Sequence, residues 1–117
     1  MNVLASVATC PAAGIRDIEV ALDNLNDSGS YDASVGPPVN QVRIDGGLGE
    51  DTLTAAGLTV GFSIGREGND VITGGDSPDD IRADVGNDVV TGGLGDDYLD
   101  DGPGTDIVSG GLGNDRF

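Results

Sequence analysis

The sequence predicts an all-β fold, a parallel β-solenoid in which two nine-residue segments make one coil. Three observations carry this. A glycine- and aspartate-rich nonapeptide recurs through residues 46–117, two of its columns hold an almost invariant residue type, and the chain has too few large apolar residues for a conventional core.

The phrase is complete in Gly46-Gly47-Leu48-Gly49-Glu50-Asp51-Thr52-Leu53-Thr54 and again in Gly92-Gly93-Leu94-Gly95-Asp96-Asp97-Tyr98-Leu99-Asp100. A third statement, Gly110-Gly111-Leu112-Gly113-Asn114-Asp115-Arg116-Phe117, runs to the last residue. Copies start at Gly46, Ala55, Gly65, Gly74, Ala83, Gly92, Asp101 and Gly110, and one extra residue, placed near Ile64, breaks the step between the second and third. The sixth place holds Asp51, Val60, Asp70, Asp79, Asp88, Asp97, Asp106 and Asp115. The eighth holds Leu53, Phe62, Ile72, Ile81, Val90, Leu99, Val108 and Phe117, all read as core.

Each copy has a simple physical logic. Glycines at the first, second and fourth places let the backbone take positive φ and turn carbonyl oxygens into the bend. The aspartate adds carboxylate oxygens. The next three residues form a very short strand whose middle side chain faces inward. Calcium takes six to eight oxygen ligands in flexible geometry. One turn supplies too few, and two stacked turns supply enough.

Successive copies lie on opposite edges, so a site joins every second copy. The expected pairs are Asp51–Asp70, Asp70–Asp88 and Asp88–Asp106 on one edge, and Asp79–Asp97 and Asp97–Asp115 on the other, giving up to five calcium ions. Val60 is expected to cripple a site opposite Asp79, and the extra residue to make Asp51–Asp70 the weakest pair. The backbone ligands expected beside these aspartates are Gly46, Gly49, Gly65, Gly68, Gly74, Gly86, Gly92, Gly95, Gly104, Gly110 and Gly113. Ser77-Pro78 is expected to bend its turn differently. Glu50, Glu67, Asp76, Asp80, Asp84, Asp96, Asp100 and Asp101 read as surface charge.

Charge supports a metal. The 117 residues carry a formal charge of −16, with 21 acids against five arginines and no histidine. Such a surface attracts cations and repels nucleic acid and anionic membranes. Stacked carboxylates at ~5 Å and an effective dielectric near 20 repel by roughly 3 kcal/mol per pair. Divalent ions reverse that sign, so folding and metal binding are expected to be one event, with modest affinity per site, in the ~10⁻⁴–10⁻³ M range.

Residues 1–45 are expected to form a β-rich cap or degenerate repeats, and residues 46–117 the calcium-binding roll. Ile18, Val20 and Leu22 alternate with polar or small residues as in a strand, as do Val42 and Ile44. Asp23 to Tyr31 reads as a turn, and Leu22–Asp27 as a worn copy out of phase with the others. Pro37-Pro38 marks a break. Met1–Cys10 lacks a basic n-region, and Cys10 has no internal partner. No apolar run is long enough for a membrane helix.

These residues resemble the RTX (repeats-in-toxin) calcium-binding nonapeptides. The resemblance implies a right-handed parallel β-roll, with calcium held by turn carbonyls and aspartates, and a secreted, extracellular or cell-surface setting. Further domains, or a chain continued or paired elsewhere, are expected, because the chain stops at Phe117 inside a copy. Calcium is the expected partner, with no nucleic acid and no membrane insertion.

Other classes fit less well. Without histidine, zinc-protease and Ser-His-Asp chemistry are absent, so no catalytic residue is expected. A structural or adhesive surface module, or the non-catalytic accessory region of a secreted RTX enzyme or toxin, is the alternative. Thr52, Thr54, Thr73 and Thr91 hint at an ice-binding threonine face, but Arg82 and Asp100 at corresponding places argue against a uniform one.

Overall fold

The computed structural model describes residues 17–32, 41–56 and 61–117. Met1–Cys10, Pro37-Pro38 and Val60 lie outside the described residues.

Among the described residues ten strands follow one another: β1 Asp17–Ala21, β2 Ser28–Asp32, β3 Gln41–Leu48, β4 Thr52–Ala56, β5 Gly61–Glu67, β6 Val71–Thr73, β7 Asp80–Val85, β8 Val89–Leu94, β9 Tyr98–Asp100 and β10 Ile107–Leu112. The odd strands form one five-stranded sheet and the even strands another, each in coil order. Every strand pairing is parallel, as in Val71↔Val89 and Val89↔Ile107. The chain therefore winds alternately through two sheets, and among the described residues there is no helix. This is the parallel β-solenoid read from the repeat.

Why such short strands persist follows from their middle residues. Leu53, Ile72 and Val90 from the even sheet meet Ile44, Ile81 and Leu99 from the odd sheet, each at most 1% exposed. Their neighbours point outward, as the alternation of a strand requires. Ala83 and Ala55 fill the narrower space near the turns. Val108, on the last strand of its sheet, is only half-buried, and Phe117 is 76% exposed. The inward column is thus core in the middle of the roll and open at this end.

The second copy departs from the expected register. Ser63, not Phe62, pairs with Ile44 and Ile81, so Ser63 takes the eighth place and Gly61 the sixth. The extra residue lies before Gly61, between β4 and β5, rather than near Ile64. Phe62 faces outward, with the Arg43 and Arg82 guanidinium carbons 5.2 and 5.6 Å from its ring centre. These cation–π contacts hold the ring outside.

Upstream, β1 pairs with β3 and β2 with β4 in the same parallel sense, and β3 runs unbroken through residues 45 and 46. Leu22–Asp27 forms a turn of the same stack. Its copy has exchanged two residues: Leu22 stands at the first place, and Gly29 at the eighth. A Cβ at Gly29 would lie 3.1 Å from Leu22 Cδ1 and 3.2 Å from Ile44 Cγ2, so the leucine fills the space that the glycine leaves.

The sheets differ outside. Thr52 and Thr54, Val71 and Thr73, and Val89 and Thr91 decorate the even sheet, while Arg82 and Asp100 belong to β7 and β9 of the odd sheet. The expectation that these two residues interrupt the threonine face is therefore wrong: they stand on the opposite face of the solenoid. The odd face instead carries Arg43 paired with Glu19 and Asp45, Arg66 with Asp45, and Arg82 with Asp80.

Candidate metal centre

The turns stack along two edges. One edge carries the turns 22–27, 46–51, 65–70, 83–88 and 101–106, and the other carries 74–79, 92–97 and 110–115. Parallel strands one coil apart bring the same place of each turn into one column, so identical residue types must face one another. That is costly for carboxylates unless something lies between them.

All five expected pairs are stacked. The backbone N–H of Asp51 donates to Asp70 Oδ1 over 2.8 Å, Asp70 to Asp88 over 2.8 Å, and Asp88 to Asp106 over 2.8 Å. On the other edge Asp79 donates to Asp97 over 2.9 Å and Asp97 to Asp115 over 3.1 Å. The Asp51–Asp70 pair is as close as its neighbours, because the extra residue sits between β4 and β5 rather than in either turn. Opposite Asp79 the acid-free place belongs to Gly61, whose N–H donates to Asp79 Oδ1 over 2.7 Å. Ser77-Pro78 packs against Gly95 of the next coil without displacing Asp79 from its column.

Only one oxygen of each carboxylate is used this way. Asp51, Asp70, Asp88 and Asp97 are each 1% exposed, and the Oδ2 of each is buried with no hydrogen-bond partner. A buried, unpaired carboxylate oxygen is expensive. Asp51, Asp70 and Asp88 repeat this in one column and Asp97 in the other, an arrangement whose cost a cation would offset. By contrast, Asp79 Oδ2 accepts from the Gly75 N–H at 2.7 Å. Asp106 and Asp115, at the far ends of the columns, are half-buried.

The glycines complete the cradle. Gly46, Gly65, Gly74, Gly92 and Gly110 occupy the first place and are buried. A Cβ on Gly46 would lie 2.6 Å from Asp51 Oδ2 and 2.8 Å from the Gly65 carbonyl oxygen, so a carboxylate and a carbonyl from adjacent turns converge there. Gly49, Gly68, Gly86, Gly95, Gly104 and Gly113 occupy the fourth place. Gly68, at φ 146°, has the Gly49 carbonyl oxygen directly against its α-carbon; no side chain can enter. Carbonyl oxygens thereby stack through the turns. Among the described residues no three acidic side chains gather on one point, so any ion here takes most of its ligands from the backbone. Hard oxygen donors of that kind suit calcium.

Electrostatics agree. Burial pushes the Asp70 carboxyl up to about 6, with the neighbouring Asp51 and Asp88 charges adding to it. Burial also raises Asp51, Asp79, Asp88 and Asp97, each with a like charge from the adjacent coil. Without a cation these groups resist ionisation.

Leu22–Asp27 is the turn copy the sequence suggested, but two features of the columns were not foreseen. Asp27 is buried, and its N–H donates to Asp51 Oδ1 over 2.8 Å; its spacing of 24 from Asp51 hides it from a nine-residue scan. The fifth place also forms a ladder. Asn26, Asn69, Asn87 and Asp96 accept from the N–H of Glu50, Asn87, Thr105 and Asn114 at 2.8–3.0 Å. The recurring Asn-Asp pair was the available signal.

The family model for the RTX calcium-binding nonapeptide repeat, in four copies, matches residues 63–90 and 82–117. No curated protein and no solved structure shows significant similarity to the chain.

Proposed function

Because residues 63–117 are RTX calcium-binding nonapeptide repeats, whose β-roll binds calcium, we propose that this chain is a calcium-dependent folding module. Its turns would hold up to five ions, one in each gap Asp51–Asp70, Asp70–Asp88, Asp88–Asp106, Asp79–Asp97 and Asp97–Asp115. The observation that supports this most is the register of buried, unpaired Oδ2 atoms at Asp51, Asp70, Asp88 and Asp97.

Calcium would supply a positive charge that the stacked turns lack, and the chain's own groups would do the rest. Asp Oδ1 atoms tie each coil to the one before, Oδ2 atoms and turn carbonyls would hold the ion, and the fourth-place glycines let the coils approach. Five divalent ions would lower the formal charge to about −6, within the range that suits a soluble domain. RTX repeats are usually structural modules, and this one would serve as a non-catalytic, extracellular element. Its affinity of ~10⁻⁴–10⁻³ M per site would keep it unfolded where calcium is scarce. The β1–β3 and β2–β4 pairings support reading residues 17–32 as a degenerate first coil rather than a separate cap.

Circular dichroism of the whole chain with chelator and with millimolar calcium tests the proposal. A β-spectrum that appears on adding calcium is expected. A fully formed β-spectrum in excess chelator would overturn it.

A further inference from the structure

We infer that Asp101 is a site of isoaspartate formation in the folded roll, a spontaneous modification of the main chain from which the other Asp-Gly step, Asp45-Gly46, is protected. The reaction needs neither a bound metal nor an enzyme.

The chemistry is a cyclisation. The backbone nitrogen of the glycine attacks the aspartate Cγ, a C–N bond forms, the C–OH bond breaks, and water leaves. Water then adds to either carbonyl of the cyclic imide. Opening one C–N bond restores aspartate. Opening the other gives isoaspartate, whose main chain runs through the side-chain carbon. No electrons are gained or lost. A following glycine favours the step because no Cβ shields its nitrogen and its backbone rotates freely. The carboxyl must also be free to swing, and the nitrogen free of a hydrogen bond.

The chain holds two Asp-Gly steps, at residues 45 and 101, and no Asn-Gly. Asp45 is clamped. Its Oδ2 accepts from Arg66 Nη2 at 2.6 Å and from Arg43 Nη2 at 3.4 Å. The Arg66 hydrogen bond holds this carboxyl below its ordinary value, and an ionised carboxylate offers no hydroxyl to expel. The Asp45 carbonyl accepts from the Leu22 N–H at 2.8 Å. Asp45 stands within β3, paired with Ala21 on one side and Ile64 on the other, and Gly46 is buried.

Asp101 has none of these restraints. Residues 101–105 are all exposed and lie in no strand. Among the described residues the Asp101 carboxylate has no hydrogen-bond or ion-pair partner, and the Gly102 N–H donates to no acceptor. At the same place in the turn 74–79, the Gly75 N–H is held by Asp79 Oδ2 at 2.7 Å. The stack grips the turn 101–106 only from Pro103 onward, where the Gly86 N–H donates to the Pro103 carbonyl at 3.3 Å and the Thr105 N–H to Asn87 Oδ1 at 2.9 Å. The fold nevertheless demands glycine at 102. Its φ is 78°, and the Asp84 carbonyl oxygen lies against its α-carbon. The roll therefore keeps the reactive step while leaving it uncovered. The product is one methylene longer just ahead of Asp106, whose Oδ1 accepts from the Asp88 N–H at 2.8 Å.

The test ages the whole chain, folded in calcium, at neutral pH and physiological temperature beside a sample in denaturant. Peptide mapping with electron-transfer fragmentation distinguishes isoaspartate from aspartate at each position. In denaturant both steps should react. In the folded chain isoaspartate at position 101 should exceed that at position 45 by at least about tenfold, because Asp45 reacts only when its core strand opens. Comparable amounts at the two positions, or none at 101 while the denatured sample reacts, would overturn the inference.

Discussion

The Asp70 N–H donates to Asp88 Oδ1 across 2.8 Å, while the Oδ2 atoms of both residues are buried and unpaired. One half of each carboxylate therefore builds the stack and the other half opposes it. This division makes the two roles separable by substitution.

Asp97→Asn should keep the Oδ1 acceptor for the Asp79 N–H but lose the charge shared by two gaps, Asp79–Asp97 and Asp97–Asp115. Asp84 is exposed and stands outside the sixth-place columns, so Asp84→Asn is the matched control. Calcium titration followed by circular dichroism should show a several-fold higher midpoint for Asp97→Asn and an unchanged one for Asp84→Asn. Equal shifts would remove Asp97 from the ligand set.

A different substitution at Asp84 tests strain. Its φ of 68° is a left-handed conformation, which a residue with a side chain adopts at a cost of roughly 1–2 kcal/mol. Its place in the turn is glycine in the 46–51, 92–97 and 110–115 copies. Asp84→Gly should raise the thermal midpoint of the calcium-loaded roll, offset in part by the extra freedom of the unfolded chain. Asp84→Ala should lower it.

Acidity should act in opposite directions on the two states. Burial raises the Asp70 carboxyl from 3.8 to about 6, so the metal-free fold holds its proton more tightly than the unfolded chain does. The proton-linked stability is complete below the ordinary value and is lost as pH rises through about 6. Acidifying the calcium-free chain from neutral pH through this window should increase its β-content. The calcium-loaded chain should need more calcium over the same window, because protons compete for the carboxylates. Circular dichroism at fixed ionic strength distinguishes these slopes; parallel slopes would contradict the site.

How far the sequence foretold all this depends on which residues repeat. The sixth-place aspartates and the pairing of alternate copies were legible because each obeys one nine-residue rule. The place of Gly61 was not: a strict step makes Phe62 a core residue, and only the neighbouring Ile44 and Ile81 reveal that Ser63 stands there. The threonine-bearing face of the even sheet was hidden for another reason. Consecutive copies land on different sheets, so Thr73 and Arg82 look equivalent in sequence yet lie on opposite faces. The pairing of Asp27 with Asp51 was not read because 24 residues separate them and Leu22 and Gly29 have traded places.

That exchange gives the last prediction. Leu22→Gly should leave a void beside Gly29 and Ile44, costing about 2 kcal/mol or more, as for truncation of a large apolar side chain. Gly29→Leu alone should overpack, because even a Cβ would stand only 3.1 Å from Leu22 Cδ1. Combined, the two substitutions put glycine at the first place and leucine at the eighth, the arrangement of Gly46 and Leu53. The double variant should therefore be more stable than the sum of the single losses implies, by an interaction of roughly 1–3 kcal/mol. Chemical denaturation in saturating calcium measures the cycle. Simple additivity would mean that Leu22 does not replace the missing eighth-place side chain.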